Sequence, residues 1–165
     1  EETAFTVQYD FVMPKLFEMT FINDKGIEEQ PVVIHRSSIG AFERTMAFMI
    51  EYYNGAFPAW LAPEQVRIIP ISDQNKEYAI SIAEKLNELE IRNSIDNDDD
   101  RMQNKIRKAQ ELKVPYMLIV GKKEAEQGTV SLRYRNGEEL RDLKVTDLIL
   151  KLQSNITTRK LEIGL

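Results

Sequence analysis

The run PYMLIVG, from Pro115 to Gly121, constrains the fold of this chain more than any other stretch. Its apolar stretch is too short for a buried helix and, bounded by proline and glycine, reads as a strand with no polar face. Such a strand must be covered on both sides, which calls for helices packed on a parallel or mixed sheet. The neighbouring sequence supplies them. VRIIPI (66–71) is a short β-rich run. SDQNKEYAISIAEKLNELE (72–90) predicts a helix capped by Ser72 or Asp73, with Ala79, Ile82, Ala83 and Leu86 on one face. IRNSI (91–95) is a strand. DDDRMQNKIRKAQELK (98–113) is a second helix with Met102, Ile106 and Ala109 inward, acidic at its start and basic at its end as the helix dipole favours. TVSLRYR (129–135) alternates, with Val130, Leu132 and Tyr134 facing one way and Ser131, Arg133 and Arg135 the other. NGEE (136–139) turns, and KVTDLILKLQSNI (144–156) is a last amphipathic helix.

The texture changes near GAFPAWLAPEQ (55–65), where two prolines, a glycine and the only tryptophan interrupt the pattern. This reads as a domain junction. Before it, AFTVQYDF, FEMTFI and PVVIHR predict antiparallel strands, NDKG a turn, and GAFERTMAFMIEYYNG a buried helix closed by Gly55. No repeat or low-complexity segment is present.

Composition narrows the chemistry. With 42% hydrophobic and 30% charged residues, 165 residues can bury a sizeable core. The apolar runs are too short to span a bilayer, and the opening Glu1-Glu2-Thr3 lacks the basic start of a secretory signal. The absence of cysteine excludes disulfides and thiolate ligands and suits a cytoplasmic protein. A net charge of −5 argues against a wholly basic nucleic-acid clamp but leaves room for a local basic face.

His35 is the only histidine. A zinc site needs three or four ligands, so His35 is either a core residue bonded to backbone or one ligand of a site completed elsewhere. Glu43-Arg44, early in a helix after Gly40, fits a phosphate contact or an exposed ion pair. SSIG and GKKE are not phosphate loops, and neither a Gly-x-Gly-x-x-Gly nor a Walker fingerprint occurs. Asp96 to Asp100 lacks the spacing of a calcium loop and reads as a loop leading into a helix. Lys105, Arg107 and Lys108 on one helix, Lys122, Lys123 and Glu124 at a strand end, and Arg133 and Arg135 on the next strand form a scattered polar set. Arginine with a carboxylate is a workable pair for reading nucleobases, and the same set also suits a solvated charged surface.

Taken in order, His-Arg (35–36), Gly-x-x-Glu-Arg (40–44) and GAFPAWLAPEQV (55–66) resemble the third signature motif of class II aminoacyl-tRNA synthetases running into an anticodon-binding domain. The likeness is to the threonyl-tRNA synthetase family in particular. VPYMLIVGKKEAEQGTVSLRYR (114–135) is similar to its anticodon domain. The resemblance runs from about Thr6 to the end. It implies an α/β fold: residues 1–60 as the end of a catalytic domain, and 61–165 as an anticodon-binding domain with a five-stranded mixed or parallel sheet flanked by helices.

By the same resemblance, His35 is one ligand of a catalytic zinc that grips the amino and hydroxyl groups of threonine, with a cysteine and a second histidine supplied from an upstream stretch. Alone, the chain is then expected to hold no zinc. Arg44 contacts ATP, bound with magnesium, and Glu43 orients it. Thr6 and Gln8 line the substrate pocket. Arg107, Lys123, Glu124 and Arg133 meet the anticodon of tRNA(Thr). The parent is implied to be a homodimeric threonine–tRNA ligase, and the isolated chain an inactive fragment that binds tRNA weakly. Three departures stand out: Thr3-Ala4-Phe5 in place of Gln-Cys-Gly, Ala41 in place of serine, and Asp99 where asparagine would suit a base. A non-catalytic paralogue or accessory module with the same domain is the alternative, against which the retention of His35 and Arg44 weighs. An unrelated mononucleotide binder is disfavoured by the missing phosphate fingerprints.

Overall fold

The protein is described by a computed structural model covering residues 6–37 and 39–164. Two compact units result, Glu1–Tyr52 and Tyr53–Leu165.

The first unit is thin. Strand β1 (Val7–Asp10) pairs antiparallel with β4 (Val33–Arg36), placing Gln8 opposite His35. Between them lie a one-turn helix α1 (Met13–Leu16) and a two-residue ladder of β2 (Phe21–Ile22) with β3 (Glu28–Glu29). The NDKG turn forms as expected, with the Gly26 N–H donating to the Asn23 carbonyl at 2.9 Å. FEMTFI is a strand only over its last two residues; Phe17 and Glu18 instead leave α1, with Glu18 at φ 51°. Helix α2 (Phe42–Tyr53) forms as predicted and Gly55 follows it at φ 70°. The expectation of a buried helix fails. None of its residues is buried, and Phe42, Phe48, Ile50 and Tyr52 stand exposed. Two short strand pairs offer no layer broad enough to cover an apolar cylinder.

The second unit has that layer. β5 (Val66–Pro70), β6 (Asn93–Ile95), β7 (Tyr116–Val120), β8 (Thr129–Tyr134) and β9 (Glu139–Lys144) form one sheet in the order β6-β5-β7-β8-β9. β5 runs parallel to β6 and β7, while β7–β8 and β8–β9 are antiparallel. All five residues of β7 are buried, as its continuous apolar run requires.

Helices α3 (Lys76–Glu88) and α6 (Val145–Thr157) cover one face. Their Ala79, Ile82, Leu86, Leu148 and Leu152 pack with Ile68, Leu118 and Leu132 of the sheet. Helix α4 (Met102–Glu111) covers part of the other face, where Ile106 and Ala109 meet Ile69 and Met117. Helix α5 (Lys122–Gln127) closes the end of β7. A 3-10 turn, Asp73–Asn75, precedes α3, and the Ser72 hydroxyl accepts a bond from the Asn75 side chain instead of capping the helix. α4 carries no acid in its first turn; its acidic partners sit in the preceding loop. The polar side of β8 is also partly covered, since Ser131 is buried.

β9 is absent from the pattern-based strand reading, for a local reason. Its leucines, Leu140 and Leu143, are three apart and fit no alternation. Yet they pair with Leu132 and Val130, which face the same way. Asp142 lies at φ 55°, and Arg141 and Asp142 together span the irregularity opposite Ser131. The bulge restores both leucines to one side.

The junction is stitched to the second unit. The Arg92 guanidinium donates to the carbonyls of Trp60 (3.0 Å), Ala62 (2.8 Å) and Pro63 (3.2 Å). Buried Gln65 donates to the Ala59 carbonyl and accepts from the Arg92 N–H, both at 2.9 Å. Arg135 donates to the Phe57 carbonyl, and burial lowers its otherwise very high pKa.

Candidate functional site

One face of the five-stranded sheet carries α3 and α6; on the other, α4 lies over β5 and β7, α5 meets β8 through the Glu124–Ser131 bond, and the Arg133 end of β8 with β9 lies beside α4. A depression of about 540 Å³ lies there. Arg107 and Gln110 border it from α4, Ile119 forms its floor, and Arg133, Glu139 and Arg141 come from β8 and β9. Arg107 and Arg133, 26 positions apart in the sequence by their numbers, therefore line one site.

Their states differ. Arg107 is exposed and pairs with Glu111 at 2.8 Å, which raises its pKa further. Arg133 is mostly covered. Its Nη1 lies 3.8 Å from Glu139, and its Nε–H is buried without an acceptor. A buried donor without a partner is costly, and the accessible part of the same side chain can take an acceptor in the depression.

Lys123 and Glu124 lie in the first turn of α5 and are not among the residues lining the depression. The Glu124 carboxylate accepts the Gly121 N–H at 3.1 Å and the Ser131 hydroxyl at 3.2 Å, so it caps its own helix. Ser131 and Arg133 share a face of β8, which puts Glu124 next to the site. Lys123 pairs with Asp142 at 2.8 Å, and that carboxylate raises its pKa.

The scattered polar set sorts itself. Lys105 is a core residue, not a surface cation. It is 6% exposed, its ammonium donates to the Asp96 carbonyl at 3.2 Å and it lies 3.7 Å from the Asp96 carboxylate. Lys108 joins Asp98 at 2.8 Å and Asp100 at 3.2 Å, so the acidic run serves as counter-charge for α4. These lysines lowered the pKa of Asp98, chiefly through the Lys108 hydrogen bond. Asp99 is exposed in that loop.

In the first unit, Gln8, Asp10 and His35 border a shallow depression of about 520 Å³. His35 is not a core residue bonded to backbone: it is exposed on β4 and its Nε2 lies 3.0 Å from an Asp10 oxygen. The other Asp10 oxygen accepts the N–H groups of Val12 and Met13, each at 2.9 Å. The Met13 N–H, then the His35 contact, holds the Asp10 carboxyl below its ordinary pKa. Asp10 had no signal in the sequence beyond its place in a strand. Thr6 precedes β1 and is exposed. Glu43 and Arg44 lie exposed in the first turn of α2. Thr3-Ala4-Phe5 falls outside the described residues. Among the described residues, no three His, Cys, Asp or Glu side chains group to hold a metal ion. No helix among them is long and apolar enough to cross a membrane.

A comparison with protein families matches residues 65–155 to the anticodon binding domain. The chain belongs to that family. The matched stretch carries the Arg107–Arg133 depression, and an anticodon-binding domain is a module of class II tRNA synthetases. Similar proteins include the threonine–tRNA ligase catalytic subunit of Sulfurisphaera tokodaii, 43% identical over 94% of this chain and 29% of that protein. The threonine–tRNA ligase of Streptococcus mutans is 45% identical over 94% of this chain and 24% of that protein. The chain thus spans about a quarter of the length of these relatives. Among solved structures, the RNA-binding domain of threonyl-tRNA synthetase from Cryptosporidium parvum superposes with a TM-score of 0.75 at 35% identity, over 92% of this chain and 38% of that one. A prolyl-tRNA synthetase from the same organism shares the fold, with a TM-score of 0.71 at 23% identity.

Proposed function

We propose that this anticodon-binding domain and the short unit before it are the C-terminal part of a threonine–tRNA ligase. Residues 1–60 close its catalytic domain and 61–165 read the anticodon of tRNA(Thr). The observation that carries the reading is the depression in which Arg107 and the acceptor-seeking Arg133 converge, within the matched family stretch. Anticodon bases are single-stranded and splayed, so their edges are open to arginine forks and carboxylates. Arg133 donates to a base acceptor, Arg107 borders the same pocket, and Glu124 and Lys123 contact the loop from α5. The whole ligase activates threonine with magnesium-bound ATP as a cytoplasmic homodimer and transfers it to tRNA. Arg44 and Glu43 serve ATP, and Thr6 and Gln8 border the amino-acid side.

His35 contributes one zinc ligand, the others coming from outside this chain. Its pairing with Asp10 is the second-sphere arrangement common for metal-binding histidines. Zinc, when bound, supplies a Lewis acid able to grip the amino and hydroxyl groups of threonine. The exposed apolar faces of α2 and β1 pack, in the parent, against the rest of its catalytic domain.

In the full-length ligase, Arg133→Ala is expected to raise the KM for tRNA by roughly fivefold or more, the value of about 1–3 kcal/mol for one arginine–base contact, with ATP–pyrophosphate exchange unchanged. A collapse of exchange would refute the anticodon role. His35→Ala is expected to lower zinc content and threonine activation together; full zinc content in that variant removes His35 from the ligand set.

A further inference from the structure

Two charged residues in the depression carry no role in the reading above: Glu139 and Arg141 of β9. Glu139 is the register partner of Arg133 across β8–β9. Its Oε2 lies 3.8 Å from Arg133 Nη1 and 3.5 Å from Arg141 Nη2. One carboxylate is thus shared, at long distance, by two guanidinium groups, and Arg107 brings a third to the rim. The excess charge at the site is positive although the chain as a whole is acidic.

The two arginines are exposed differently. Arg133 is 28% exposed and Arg141 is 73% exposed. Arg133 therefore sits at the floor with its Nε–H lacking an acceptor, while Arg141 stands at the solvent edge on the outermost strand. Arg141 and Asp142 together span the bulge, and Asp142 pairs with Lys123. Bulges commonly re-aim a side chain next to a functional site.

A polynucleotide presents two kinds of acceptor, base edges that carry sequence and phosphates that do not. A half-covered arginine in a pocket suits the first. An exposed arginine at the rim, only loosely held by a carboxylate, suits the second. We propose that Arg141 contacts a phosphate of the RNA strand whose base enters the depression, and that Glu139, whose carboxylate is shared by both, is the positioning residue that fixes where the Arg133 and Arg141 guanidinium groups lie. The inference rests on the RNA-binding reading above.

The test is equilibrium binding of the 165-residue chain to two RNA hairpins, one with a threonine anticodon and one with that anticodon changed, over a range of salt. Arg141→Ala is expected to weaken both hairpins by the same factor, about five- to tenfold, and to reduce the slope of log K against log salt by about 0.7–0.9. Arg141→Lys is expected to keep the slope, because a point charge suffices for a phosphate. Glu139→Gln is expected to narrow the preference for the threonine hairpin without reducing the slope. An unchanged slope in Arg141→Ala, or a loss confined to one hairpin, overturns the phosphate role and leaves RNA binding standing. An unchanged preference in Glu139→Gln overturns its positioning role. If the wild-type chain binds neither hairpin, the inference and the reading beneath it both fail.

Discussion

The two units draw on similar apolar residues and use them in opposite ways. In the second, Ile68, Leu118 and Leu132 are fully buried between helices and sheet. In the first, Phe11, Phe42 and Phe48 remain exposed, and Phe48 stacks on Tyr52 of its own helix, with ring centroids 5.9 Å apart. Hydrophobicity decides that a residue gains by burial. Whether it is buried depends on having a second layer, and a pair of two-stranded ladders does not make one.

Core truncation is the strongest way to break that comparison. Leu118→Ala is expected to cost about 2–5 kcal/mol in urea denaturation, through lost transfer energy and a cavity. Phe48→Ala in the same chain is expected to stay within about 0.5 kcal/mol. Equal losses would mean that α2 has a core of its own.

A medium effect tests the junction. Arg92→Ala removes donors to three carbonyls at once, those of Trp60, Ala62 and Pro63. The expected cost is about 1–3 kcal/mol, with a red-shifted emission from Trp60, the only tryptophan. An unmoved spectrum would show that the junction is held without Arg92.

The smallest effect is electrostatic. Asp98 in the second unit and Asp10 in the first both have pKa values below the ordinary 3.8. A depressed folded value means that each contributes stability above the ordinary value and loses it as pH falls through the folded one. The window is therefore below about pH 4 for both units. The causes differ: Lys108 dominates at Asp98, and backbone donation from Met13 dominates at Asp10. Lys108→Gln is expected to raise the Asp98 value toward 3.8 in a carboxyl NMR titration. An unmoved Asp98 value would contradict the dominance of Lys108 there.

Much of the second unit was readable from pattern. The β7 run left no polar face, and the helical spacing of Ala79, Ile82, Ala83 and Leu86 matched the buried stripe of α3. β9 was not readable, because its leucines obey the period only after a bulge with Asp142 in the left-handed region. Lys105 looked like a surface cation; in the fold it meets Asp96, just after β6, because α4 packs over the neighbouring β5. Arg107 and Arg133, expected from the family resemblance, line the same depression. Glu139 and Arg141 were not expected there, since they belong to the unread strand.

The sequence by itself determined the layered α/β class, the strand β7 and the helix faces, because these follow from local periodicity and burial. Only the tertiary structure decided which charges meet. Arg133 faces Glu139 through strand register, Asp10 reaches His35 across a two-stranded ladder, and Lys108 gathers Asp98 and Asp100. Such pairings depend on strand register and on how loops return, and side-chain period carries no information about either.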